Sequence, residues 1–261
     1  MNAICKSFFA FSIAALGVLA LAMSASVVVD GSDLRTSRII QGASLEDVVL
    51  AVEQAGGEIT HELGIINAVA ANLTPSQVDA LQRTDGIRRI YGNDAIETAG
   101  KPIKGDPGDS GDTTDTTTTD TTTDTFYTSL VNGDVVHQMG IDGSGVGIAV
   151  LDTGLWKHAG IKNDSAGNAR IKAVYNAMTD QVASSPMSGD DPAGHGSHVA
   201  SIAVSSLMTA DGTARYNGVA PGAHLVSVQA FDSNGQGTYA DVVRAIDWIV
   251  TNRKKYKIHI I

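Results

Sequence analysis

Three kinds of hydrophobic pattern run along this chain. Near the N-terminus an unbroken apolar run from Phe8 to Met23 follows Lys6 and gives way to Ser24, Ala25 and Ser26. It falls short of the roughly 20 residues of a membrane span and leaves through small residues, so residues 1–25 read as a secretory signal peptide cleaved between Ala22 and Ser26. Further on, apolar residues recur at helical spacing: Leu45, Val48, Val49 and Val52, opened by Ser44 with Asp47 three positions on and closed by Gly56-Gly57. A second helix starts at Thr74, with Pro75 first and Gln77 completing a capping box, and is expected to bury Val78 and Leu81. Between these helices Glu58 to Leu73, including the run Ile65 to Ala71, reads as strands, and Gly86 to Tyr91 reads as another. Strand, helix, two strands, helix, strand is the ferredoxin-like α+β order.

The second half carries the third pattern, strands with no polar face. Gly145 to Leu151 is apolar throughout and ends on Asp152-Thr153-Gly154, as a parallel strand covered on both faces would. Leu225 to Phe231 reads as another strand, and Ile258 to Ile261 as the start of an apolar one. Helices are expected from Gly194 to about Leu207, and from Thr238 to about Thr251 with Val242, Ile246, Ile249 and Val250 inward. The fold class predicted here is α/β, a parallel sheet with helices on both faces.

Between the halves, residues 98–125 have almost nothing apolar to bury and are expected to form a disordered Thr/Asp-rich linker. Gly108-Asp109-Ser110-Gly111 imitates a serine-nucleophile motif but has no scaffold around it, and the Asp spacing lacks the glycine period of calcium repeats. For the chain as a whole, 261 residues with 43% hydrophobic and 18% charged exclude wholesale disorder and collagen. The net charge of −10 argues against a nucleic-acid partner. The single cysteine, Cys5, leaves with the signal peptide, so the exported chain has no disulfide, thiolate nucleophile or cysteine zinc site.

Two segments carry candidate chemistry. Asp152 ends a buried strand, and function in open α/β sheets gathers at such carboxyl ends. A phosphate-cradling reading fails on order, because Gly143, Gly145 and Gly147 precede the strand instead of following it. In Gly194-His195-Gly196-Ser197-His198, flanking glycines let the backbone pass close and leave His195 at a helix entrance facing a cleft. His195 and His198 share a helical face, but the HExxH carboxylate and a third ligand are absent, so no metal is assigned. His198 is expected to be a buried structural histidine.

Asp152-Thr153-Gly154 followed 43 residues later by His195-Gly196-Ser197-His198, then by Tyr216 to Ala223 and by Gly235-Gln236-Gly237-Thr238-Tyr239, resembles the subtilisin (S8) protease family. Gly56-Gly57, Ile66 to Ala71 and Gly86-Ile87 are similar to the inhibitor-type propeptide of that family. The resemblance implies Asp152 and His195 as two members of an Asp/His/Ser triad. It implies Gly235, Gln236 and Gly237 as the loop whose backbone pairs with an extended peptide, and peptide or protein substrates. Residues 26–97 would be an inhibitory propeptide acting within the chain, and 126–261 the N-terminal half of a catalytic domain. Ser197 replaces the family's usual threonine, and neither the oxyanion asparagine nor the Gly-Thr-Ser nucleophile occurs in these 261 residues. The reading is therefore a secreted endopeptidase precursor, inactive as this fragment and without a membrane partner after signal cleavage. The alternative is a secreted non-enzymatic binding protein or a pseudoprotease. No catalytic cofactor is implied; structural calcium, common among relatives, finds no carboxylate loop with a sufficient ligand count.

Overall fold

The computed structural model describes residues 34–99, 125–210 and 215–261. The expected signal peptide and nearly all of the expected linker lie outside the described residues. The described elements pack within one compact unit, Ser32–Ile261.

The first layer is a four-stranded antiparallel sheet. Strands β1 (Thr36–Gly42), β2 (Glu58–Leu63), β3 (Ala68–Leu73) and β4 (Ile87–Gly92) are ordered β2-β3-β1-β4, with α1 (Leu45–Gln54) and α2 (Pro75–Leu81) between them in sequence. This is the ferredoxin-like topology. Ser44 caps α1 by accepting from the Asp47 N–H, and Thr74 and Gln77 form a reciprocal capping box on α2. The helices cover one face of the sheet through Val48, Val52 and Leu81 against Ile40, Val69, Ala71 and Leu73. Ile65 and Ile66 depart from expectation: they form a 3-10 turn, Gly64–Ile66, closed by Asn67 in the left-handed region at φ 51°. A chain reversing between β2 and β3 needs such a residue, and asparagine tolerates it. Beyond β4 a short strand, β5 (Ala95–Glu97), leaves this sheet.

The second layer is a five-stranded sheet ordered β11-β6-β9-β7-β8. Strands β6 (Gly147–Asp152), β7 (Ile171–Asn176), β9 (His224–Gln229) and β11 (Ile258–Ile260) run parallel, and β8 (Gln181–Val182) closes the edge antiparallel to β7. Val150 and Leu225 face α6 (His195–Val204), packing on Ala200 and Val204. Ala149, Val226 and Val228 face the other way, onto Ala245 and Ile249 of α7 (Tyr239–Asn252). Covering both faces leaves little room for a polar side, which is why β6 reads as an unbroken apolar run up to Asp152, whereas β7, with Lys172 exposed, carries no such signal. Short helices α3 (Tyr127–Leu130), α4 (Gly133–Gln138) and α5 (Ala159–Lys162) lie outside this sheet.

Helix α7 belongs to both layers. Its fully buried positions are Ala240, Asp241, Ala245 and Ile249, whereas Val242, Ile246 and Val250 are half-buried, a correction to the expected inward stripe. The reason is a second partner: Ala240 and Val243 meet Ile39, Leu63, Ala68 and Ala70 on the free face of the first sheet. Polar contacts cross the same boundary, from Arg244 to the Thr60 carbonyl at 2.6 Å and between His61 Nε2 and Asp241 Oδ1 at 3.0 Å.

Helix α6 stops at Val204, short of the expected Leu207, because its last carbonyls are claimed from outside. The Val219 and Ala220 N–H groups donate to Ile202 and Ala203 at 3.1 and 2.8 Å, and the Arg170 guanidinium reaches the Val204 carbonyl. Arg170 is fully buried and also donates to the Asn163 and Pro221 carbonyls, at 2.8 and 2.9 Å. Burial pushes it down to about 10, against the pull of Asp164.

Candidate active site

Asp152 is the last residue of β6, and its carboxylate is buried. Oδ1 accepts from the Thr153 N–H at 2.7 Å and lies 2.7 Å from Nδ1 of His195. An ionised carboxylate can only accept, so Nδ1 carries the proton and Nε2 is left as a lone-pair base. The His195 side chain is 30% exposed against 9% for Asp152, so the pair has a buried end and an open end.

Two glycines set the pair, one through a turn and one through a close backbone approach. Gly194, at φ 78°, turns the chain into α6 and puts His195 at its first position. A Cβ on Gly196 would stand 2.3 Å from the Gly154 carbonyl oxygen and 3.1 Å from Cβ of Asp152, so only glycine lets α6 come this near to β6. His198, expected to be buried, is exposed. The positions of α6 that face inward are Gly196, Ser197, Ala200 and Val204, which turns His198 outward. It lines a cavity of about 380 Å³ with Trp156, His158 and Ile161.

Sequence reasoning missed Asp191. Its buried carboxylate accepts from Thr153 Oγ1 at 2.7 Å, the Gly194 N–H at 3.0 Å, the Ser197 N–H at 2.7 Å and Ser197 Oγ at 2.6 Å. Burial alone would raise its pKa, but the hydrogen bonds from Ser197, Thr153 and Gly194 outweigh it and hold the group below the ordinary value. The signal available was a carboxylate followed by proline ahead of a helix entrance. Ser197, also in this network, accepts from the Trp156 N–H at 2.7 Å.

Gly235, Gln236 and Gly237 lie apart from the pair in sequence but leave the same end of the sheet. The Ala230 N–H donates to the Asp152 carbonyl at 2.9 Å, and a Cβ on Gly237 would stand 2.3 Å from the Ala230 oxygen. Asp232 Oδ1 accepts from the Gln236 and Asn234 N–H groups, and these bonds hold its pKa below the ordinary value. Strand β10 (Gln236–Thr238) pairs antiparallel with β5: Gln236 with Glu97, Gly237 with Ile96, Thr238 with Ala95. The Thr98 N–H continues the ladder to the Gly235 carbonyl at 2.8 Å. Among the described residues no group of three or more His, Cys, Asp or Glu converges as a metal site.

The parallel sheet thus ends on a carboxylate-oriented histidine, with a strand loop beside it paired to an extended segment. Residues 143–261 match the model of the subtilase family, peptidase S8. The thermostable alkaline protease of Halalkalibacterium halodurans is 34% identical over 195 residues, covering 75% of this chain and 43% of that protein. Subtilisin E of Bacillus subtilis is 25% identical over 218 residues, covering 84% of this chain and 47% of the other. The chain thus spans less than half the length of these relatives. In fold it is similar to fervidolysin from Fervidobacterium pennivorans, with a TM-score of 0.56 at 20% identity over 84% of this chain and 34% of that one.

Proposed function

We propose that this chain is part of the precursor of a secreted subtilisin-like serine endopeptidase, with Asp152 and His195 as two members of its catalytic triad. The observation that carries the reading is the 2.7 Å contact from His195 Nδ1 to Asp152 Oδ1 at the carboxyl end of a parallel strand, with the imidazole partly open to solvent. In this mechanism Nε2 of His195 takes the proton of a serine hydroxyl as it attacks the peptide carbonyl, then returns it to the leaving amine. Asp152 holds the tautomer and stabilises the imidazolium. Among the described residues no serine hydroxyl bonds to His195, and Ser197 is committed to Asp191 and Trp156. In this proposal the nucleophile is the serine of a Gly-Thr-Ser segment, which does not occur in these 261 residues.

In the same proposal Gly235 to Gly237 is the edge on which an extended substrate adds as a strand. Residues 26–97 act as the inhibitory propeptide, with β5 occupying that edge in place of substrate. The support is the antiparallel pairing of β5 with β10 and the apolar contact of the first sheet with α7. The test is hydrolysis of casein and of chromogenic peptides by the mature protein, with serine-directed inhibitors and a His195→Ala variant. Inhibitor-sensitive turnover that His195→Ala abolishes is expected; turnover unaffected by either sinks the assignment and leaves a binding protein as the better account.

A further inference from the structure

Four hydrogen bonds converge on one buried carboxylate that belongs to neither catalytic segment. Asp191 reaches the β6 turn through Thr153 Oγ1, adjacent to Asp152, and the start of α6 through the N–H groups of Gly194 and Ser197 on either side of His195. Thr153 Oγ1 accepts in turn from the Gly196 N–H at 3.0 Å, so the two segments are also joined to each other at the same point. We infer that Asp191 is the positioning residue that sets His195 against Asp152, an inference that rests on the protease reading above.

The geometry separates this role from ordinary helix capping. A cap satisfies the free N–H groups of the first turn, which Asp191 does at Gly194 and Ser197. It does not need to hold the hydroxyl of the residue that follows the triad aspartate. Asp191 holds both, and its donors lie one or two positions from each member of the pair. An asparagine cannot replace it. All four partners donate to it, whereas the amide would turn an NH₂ toward one pair of donors and leave them unsatisfied. His195 is the first residue of α6, so loss of these bonds lets its backbone shift relative to β6. A shift near 1 Å in a catalytic group can cost on the order of 100-fold in rate.

The experiment compares Asp191→Asn, Thr153→Val and Thr153→Ser in the active protein. Asp191→Asn is expected to lower kcat roughly 10- to 100-fold with KM within about twofold. Thr153→Val, which removes the bond to Asp191 together with the acceptor of the Gly196 N–H, is expected to lower kcat in the same direction, and Thr153→Ser to recover most of that loss. The downfield proton resonance of His195 Nδ1–H gives a second readout independent of turnover. It should broaden or vanish in Asp191→Asn at a temperature where circular dichroism is still that of the wild type. A folded Asp191→Asn with unchanged kcat and unchanged resonance overturns the inference and leaves a helix cap. If Asp191→Asn does not fold, Asp191→Glu, which keeps the carboxylate but displaces it by one methylene and leaves the Gly196–Thr153 bond in place, decides by the same two readouts. Failure of the protease reading looks different: wild type without hydrolysis, while the resonance still responds to Asp191.

Discussion

In the proposed triad Asp152 and His195 work as a pair only while the imidazole keeps its proton on Nδ1, the tautomer that the 2.7 Å contact favours. Asp152→Asn keeps the shape but can present an amide N–H to the ring. Turnover of the active protein should fall by about 10⁴-fold with the fold intact, the scale established for loss of the orienting aspartate in serine-protease triads; steady-state kinetics checks it, and a variant within threefold of wild type would make Asp152 structural. Asp191 makes a separate prediction about pH. Its folded pKa lies below 3.8, so the stability it supplies is present above that value and is lost as pH falls through the folded pKa. Asp191→Asn should therefore lower Tm near pH 7 by about 4–8 °C, and the gap should narrow as pH falls below 3.8, where the carboxyl of the unfolded chain takes up a proton before that of the folded one does. Thermal melts of both proteins between pH 3 and 7 test the sign.

Among the elements, α6 depends most on what lies outside it. Its last carbonyl is held by Arg170, whose guanidinium also satisfies Asn163 and Pro221. Lysine keeps the charge but not the planar fork, so Arg170→Lys should cost about 2–3 kcal/mol and Arg170→Ala more, read as a fall in the urea midpoint. At the other end Gly196→Ala should act on geometry: its Cβ meets the Gly154 oxygen at 2.3 Å, so α6 must retreat from β6. The expected result is a loss of kcat far larger than the loss of Tm. Much of this helix was legible in advance, because the two glycines around His195 and the small residues after it announce a close approach. The outward turn of His198 was not, since periodicity gives a face without saying which face meets the sheet.

At the scale of the whole molecule, α7 is a shared wall between two sheets. Ala240 and Val243 meet the first sheet while Ala245 and Ile249 meet the second, and β5 reaches over to β10. If the first sheet is the inhibitory propeptide, Val243→Asp should place a charge in that contact and weaken inhibition without disturbing Asp152 or His195. Progress curves of the active protein with added residues 27–97 would measure it: a rise in Ki of tenfold or more is expected, and an unchanged Ki would remove this contact from the inhibitory surface. The 261 residues alone are expected to give no serine-reagent-sensitive hydrolysis of casein.

Local chemistry explains what the sequence determined by itself. The Ser44 and Thr74 caps, the apolar run ending on Asp152, the glycines around His195 and the helix starting at Thr238 each depend on residues within one turn or one strand. Ile65-Ile66 was misread because an apolar dipeptide suits a strand or a turn, and Asn67 decided between them. Tertiary structure alone decided the rest. Asp191 gathers Thr153 and Ser197 from 38 and 6 residues away, a convergence no local pattern encodes. The inward face of α7 follows from burial against two sheets at once, and only the docking of the first sheet on α7, with β5 against β10, brings those partners together.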